Sequence, residues 1–142
     1  MYHHVQMANL LLASLLPASA ALLIGVYAGL FPDFVLIVVI GLATAVALFS
    51  RLAVEVDPEA VTLRFGIGLV RRRFSLTEVE DVQVVRNRWW HGWGIHWFGK
   101  GWLYNVSGFD AVQLGYRDGR AVRIGTDEPQ QLARAIRGAL QR

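Results

Sequence analysis

Cysteine is absent from this chain of 142 residues, which excludes disulfides, thiolate nucleophiles, iron-sulfur clusters and cysteine-based zinc sites. Basic residues are missing from the first fifty positions, and all fourteen Lys and Arg lie at or after Arg51. Acidic residues are nearly missing from the same stretch, where Asp33 is the one formal charge. A surface helix of a soluble protein needs a polar face, so the run from Leu10 to Phe49, with no such face, excludes an ordinary globular N-terminal domain. The n-region Met1-Tyr2-His3-His4 also lacks the Lys or Arg of a secretory signal, and the apolar run continues past the small-residue site Ala18-Ser19-Ala20, which argues against cleavage.

What is present divides the chain at Arg51. Leu10 to Phe31 is 22 residues without a charge, about 33 Å as a helix, enough for a hydrocarbon core of about 30 Å. Pro17 falls inside it, where the hydroxyls of Ser14 and Ser19 or a neighbouring helix could satisfy the freed carbonyl. Phe31-Pro32-Asp33 reads as a turn. Phe34 to Phe49 is shorter, 16 residues, and lengthens through Ser50 if Arg51 snorkels to the headgroups. The expectation is a two-helix transmembrane hairpin, residues 1–50, with spans near 10–31 and 34–50. The positive charge beyond it places residues 51–142 on the cytoplasmic side of the inner membrane, with both termini cytoplasmic.

The remainder holds fourteen basic against ten acidic residues, a net +4, which suits an anionic leaflet and is too modest to indicate nucleic acid. Alternation begins at once. Leu52, Val54 and Val56 share one strand face, Asp57-Pro58-Glu59 turns the chain, and Val61, Leu63 and Phe65 follow. Gly66-Ile67-Gly68 turns it again before a strand from Leu69 to Phe74, and Val79 to Val85 reads as the next, with a bulge or short helical turn near Leu76. Ala111 to Tyr116 and Ala121 to Ile124 form a hairpin through Asp118-Gly119. A closing helix carries Leu132, Ile136, Ala139 and Leu140 at helical spacing, with Asp127 as its expected cap and Gln130 three residues on. The pattern predicts a mainly-β barrel or sandwich of six or seven antiparallel strands with one C-terminal amphipathic helix.

The strand order and terminal helix, with Asn87, Gly92-Trp93-Gly94-Ile95, Trp102-Leu103-Tyr104-Asn105-Val106-Ser107-Gly108, Asp110-Ala111-Val112 and Ile124-Gly125-Thr126-Asp127-Glu128-Pro129, resemble bacterial membrane proteins carrying a pleckstrin-homology-like domain. The resemblance covers Leu52 to Leu140. It implies a seven-stranded barrel with a C-terminal helix, a protein- or lipid-facing binding role and no established reaction; separately, no cofactor is expected. Relatives would carry Arg in place of His96.

Two groups of residues stand out as candidate sites. All five tryptophans, Trp89, Trp90, Trp93, Trp97 and Trp102, fall within fourteen residues, interleaved with Ile95, His91, His96 and glycines. Tryptophan favours membrane-water interfaces and partner hot spots, so Trp89, Trp90, Trp93, Ile95, His96 and Trp97 form a candidate partner or membrane-interface loop. The competing expectation is that most of these rings pack the barrel, Trp93, Ile95 and Trp102 above all. Arg51, Arg64, Arg71, Arg72 and Arg73 are candidate contacts to anionic lipid, although Arg72 must point away from Arg71 and Arg73 on a strand.

Weaker motifs carry no site. Gly66-Ile67-Gly68 lacks the third glycine of a dinucleotide loop. His91 and His96 lack a third metal ligand nearby, and no nucleophile elbow surrounds Ser107 that would join it to His91 and Asp110. The expected class is therefore a non-enzymatic membrane-tethered binding module that recruits or regulates a protein partner, with anionic-lipid sensing as the alternative. Gly25 and Gly29, four apart, add the spacing of close helix contacts and hence a homo-oligomer through the hairpin.

Overall fold

The computed structural model describes residues 1–141; Arg142, the last residue of the expected cytoplasmic domain, lies outside them. Strand β1 (Tyr2–Met7) comes first, followed by helices α1 (Asn9–Tyr27) and α2 (Val35–Phe49). Strands β2 (Arg51–Val56), β3 (Ala60–Phe65), β4 (Val70–Ser75) and β5 (Val79–Arg86) follow. A 3-10 turn at Trp89–His91 leads to β6 (Gly94–Trp97), β7 (Gly101–Asn105), β8 (Asp110–Tyr116), β9 (Ala121–Gly125) and helix α3 (Pro129–Leu140).

The strands form two sheets, a four-stranded one ordered β1-β2-β3-β4 and a five-stranded one ordered β5-β8-β9-β7-β6. Among the described residues nine strands form two sheets, in place of the expected six or seven strands and of the single barrel that the family resemblance implies, and β7 runs parallel to β9 where an all-antiparallel set was expected. Two of the additional strands are the β6-β7 hairpin, which lies in the tryptophan-rich segment. The other is β1, so residues 2–7 belong to the first sheet although the expected boundary assigned them to the anchor.

Alternation explains the core. Leu52, Val54 and Val56 on β2 and Val61, Leu63 and Phe65 on β3 turn inward, meeting Val112, Leu114 and Ile124 from the second sheet. Leu132, Ala133 and Ile136 of α3 close one side. Each large aliphatic or aromatic side chain buried in this way contributes about 1.5–3 kcal/mol. A bulge between Val79 and Asp81 lets Val79 and Val82 both reach the core. The α3 N-terminus is fixed differently from expectation. Thr126 Oγ1 accepts the Glu128 N–H at 3.0 Å, while the Asp127 carboxylate turns to His4 Nε2 at 2.6 Å, latching β1 to the start of the helix.

Of the two N-terminal helices, α1 at 19 residues is the one long and apolar enough to cross a membrane among the described residues; α2 is apolar but has 15 residues. They pack against each other, and their bases meet where the Ala8 N–H donates to the Ser50 carbonyl at 2.8 Å. Gly25 is occupied within the chain, because the Phe31 ring stands where a side chain would be, and Gly29 lies past the helix end at φ +73°. The two glycines therefore do not form a stripe for a second copy. Ser14 and Ser19 donate to the carbonyls of Leu10 and Leu15, one turn back in each case, and not to the carbonyl freed by Pro17.

Candidate functional site

The two apolar helices are spliced between two strands that are hydrogen-bonded neighbours, and the turns of the domain around their bases define one end of the molecule. The Ile67 N–H of the β3-β4 turn donates to the Ala47 carbonyl at 3.0 Å, satisfying a carbonyl in the last turn of α2. Arg51 Nε donates to the Gly66 carbonyl at 2.9 Å. On the other sheet, Gln6 donates to the Ser107 carbonyl at 3.0 Å, and Asn105 knits its own loop by donating to the Gly108 carbonyl and accepting from the Ser107 N–H. Gly125 must be glycine here because a Cβ would occupy the space of the Asn105 side chain. The Asn87 N–H donates to the Phe109 carbonyl at 2.6 Å, bringing the segment before the 3-10 turn to the same end.

The tryptophans are not in the core. All five are 43–76% exposed, which overturns the packing expectation for Trp93 and Trp102; Ile95 alone of the named segment lies partly buried against the core. The five also separate into two places. Trp93 lines a recess with Leu11, Phe49, Ile95 and Val106 at the helix bases, and Trp89 and Trp90, edge to face at 5.8 Å, precede it in the 3-10 turn. Trp97 and Trp102 are a cross-strand pair, edge to face at 5.6 Å, at the far end of the β6-β7 hairpin. There the outer edges of the end strands β4 and β6 are unpaired among the described residues, leaving a mouth of about 360 Å³ lined by the tryptophan pair, Phe74, Tyr116 and Val122 and rimmed by Arg73, Glu78, Lys100 and Arg120.

Arg123 on β9 ties together Gln113 of β8, Asn87 just after β5 and Phe98 of the β6-β7 turn. Its guanidinium donates to Gln113 at 2.8 Å and Asn87 at 3.4 Å and stacks on Phe98 at 4.3 Å; burial lowers its pKa from the usual arginine value. His91 Nδ1 accepts the Arg88 N–H at 3.3 Å. Its pKa is pushed down, first by burial and then by the charges of Arg123, Arg88 and His96, so it is held neutral more firmly than a free imidazole. His96 is turned to the Trp93 carbonyl.

The five candidate arginines are not brought together. Arg64 and Arg71 are directly opposite on β3 and β4, facing the same outer side of the first sheet as Arg51. Arg64 pairs with Glu55 at 2.7 Å, and its Nε is buried without a partner. A groove of about 310 Å³ beside it is lined by His3, Arg51, Glu55, Arg64 and the Gly66-Ile67-Gly68 turn. Arg73 faces the same side further from the helix bases, where Asp57 at 3.5 Å and Glu59 at 3.7 Å engage it. Arg72, opposite Leu63, points inward towards Tyr104, whose hydroxyl pKa is raised by burial and partly restored by that arginine.

Sequence reasoning missed Ile67, Leu69 and Phe109, which are exposed at the helix-base end. Their signal was available: a large apolar residue beside glycine in a turn, where polar residues are the rule. Among the described residues no three His, Asp or Glu side chains form a group able to hold a metal ion. The chain matches no protein-family model, no curated protein and no solved structure.

Proposed function

We propose that this chain is a membrane-anchored, pleckstrin-homology-like binding module, without catalytic activity of its own, that presents a docking mouth to a protein partner at the cytoplasmic face of a bacterial inner membrane. The observation that carries this reading is the splice. Because β1 and β2 pair along Tyr2–Val56 to Met7–Arg51, the chain must leave and re-enter the sheet on the same side. If α1 crosses a bilayer, α2 must cross back, even though its 15 residues span only about 22 Å and require tilt, local thinning or snorkelling by Arg51. The domain then has no linker and sits directly on the membrane. The absence of Lys and Arg before Arg51 favours a cytoplasmic domain.

The mouth between β4 and β6 supports the partner half of the proposal. Exposed, well-supported tryptophans beside unpaired strand edges provide both an aromatic anchor and backbone groups for an added strand. The lack of cysteine permits a direct test. Leu30→Cys at the hairpin tip should react with an impermeant maleimide in intact spheroplasts, and Asp118→Cys only after permeabilisation. A photo-crosslinker at position 97 should capture a discrete protein that the same group at Arg137 does not. Labelling of both cysteines from outside, or neither, would overturn the topology; equal crosslinking at both positions would overturn the mouth.

A second reading has its own observation. The groove beside Arg64, with its unpartnered Nε and with Arg51 at the helix base, favours binding of anionic headgroups on the outer face of the first sheet. Salt-sensitive enrichment of a fluorescent anionic lipid around the reconstituted full chain, read by energy transfer from its tryptophans, is its expected mark.

A further inference from the structure

The two ends of the domain differ in chemistry. At the end where the helices emerge, Ile67 and Leu69 in the β3-β4 turn are 64% and 74% exposed, Trp89 and Trp90 are 76% and 56% exposed, and Phe109 is 40% exposed. These three apolar points lie on separate turns, each tied to the helix-base end by a hydrogen bond already described. Arg51 and Arg88 accompany them, and no ion pair links either to a carboxylate among the described residues. Arg88 instead lies 4.9 Å over the Trp90 ring. At the opposite end, Asp57, Glu59, Glu80 and Asp118 gather in the β2-β3 turn, the start of β5 and the β8-β9 turn, where they pair with Arg73, Arg117 and Arg120.

Scattered exposed apolar residues need no explanation, but large ones placed at three turns around one apolar helix pair do. Each turn would leave its side chain in water if the domain were held clear of the bilayer. Tryptophan and arginine together are the residues that favour the headgroup layer, one by its amphipathic ring and the other by its charge. From this placement we infer that Ile67, Leu69, Trp89, Trp90 and Phe109 form a collar that seats the domain in the lipid interface around the hairpin base. The occupant is the lipid surface because the collar is continuous with the apolar helices and because the ion-paired carboxylates of Asp57, Glu59, Glu80 and Asp118 face the other way, with Asp110 next to Phe109 the exposed carboxylate beside the collar. The collar rests on the membrane reading of the hairpin, and it fixes the mouth of Trp97 and Trp102 at the end pointing away from the lipid.

The separation of the tryptophans makes the collar measurable in the full-length chain. In vesicles whose acyl chains are brominated near the headgroup, the Trp97→Phe/Trp102→Phe variant retains only Trp89, Trp90 and Trp93 and should lose most of its emission relative to unbrominated vesicles. The Trp89→Phe/Trp90→Phe/Trp93→Phe variant retains the distal pair and should be barely quenched. Ile67→Asp with Leu69→Asp, both at exposed positions, should reduce quenching of the collar tryptophans while leaving the circular dichroism spectrum unchanged. Resistance of the same samples to carbonate extraction reports the hairpin separately. Retention with no difference between the two tryptophan sets overturns the collar and leaves the anchor intact. Release by carbonate overturns both.

Discussion

Replacing Gly66 by Ala tests whether the β3-β4 turn is welded to the end of α2. Gly66 has φ +51°, a region that costs a residue with a Cβ about 1–2 kcal/mol. A Cβ there would also overlap the Ala47 carbonyl oxygen and the Leu48 backbone, so the turn must retreat from the helix. Retreat breaks the 3.0 Å bond from the Ile67 N–H to Ala47, a further loss of about 0.5–1.5 kcal/mol. The expected destabilisation is about 2–3 kcal/mol. Gly68→Ala is the control, because Gly68 has φ +93° but nothing within 4 Å of its added Cβ, so it suffers strain alone. In detergent, each kcal/mol should lower Tm by about 4–8 °C for a domain of this size. Gly66→Ala should therefore melt several degrees below Gly68→Ala, and the Ile67 amide should exchange faster in the first variant only. Equal melting of the two with unchanged exchange at Ile67 would refute the weld.

Substitution of Arg51, Arg64 or Arg71 by Ala should each weaken recruitment of a fluorescent anionic lipid to the reconstituted chain by about 1 kcal/mol, with a smaller salt dependence of the energy transfer, whereas Arg72→Ala should not, since its side chain lies on the other face beside Tyr104. Arg123→Ala removes donors to Gln113 and Asn87 and the stack on Phe98; it should cost about 1–3 kcal/mol in chemical denaturation and speed exchange across the 3-10 turn at Trp89–His91. The Tyr2 phenol is raised from 10.0 to about 12, by burial first and then by Glu128. The unfolded chain releases that proton at lower pH than the native one, so stability should fall between about pH 10 and 12, and Tyr2→Phe should remove this part of the alkaline loss in a pH series of denaturation curves.

The first sheet was largely legible from Leu52 to Phe74 because its inward positions on β2 and β3 are apolar at a strict period of two, and on β4 Val70 and Phe74 keep that face with Arg72 between them. β1 was hidden because its inward positions are Tyr2, His4 and Gln6, polar residues made acceptable by Glu128, Asp127 and the Ser107 carbonyl, all more than a hundred residues away. No local pattern reports such partners. In β6 and β7 the alternation is present, Ile95 with Trp97 and Trp102 with Tyr104, but glycines interrupt it and the tryptophans end at an open mouth where no sheet covers them. The parallel β7-β9 pair depends on β8 being placed between β5 and β9, which is a property of the whole topology. For the candidate site, strand alternation foretold that Arg72 would part from Arg71 and Arg73. It could not foretell that Asp57 and Glu59 would occupy Arg73, or that the tryptophan cluster, contiguous in sequence, would be drawn to opposite ends of a hairpin.

The splice of the hairpin between β1 and β2 also sets an order of synthesis. Residues 2–7 are made before their partner strand and cannot pair with it until both helices and residues 51–56 have followed. If the helix pair crosses a membrane as proposed, the first sheet is completed only when the polypeptide has returned to the side it left, and a chain that failed to return would leave β1 across the bilayer from its neighbour. On that proposed reading, correct insertion and completion of the domain would be a single checkpoint, with a misrouted chain presenting an incomplete sheet edge to the proteases that remove failed membrane proteins.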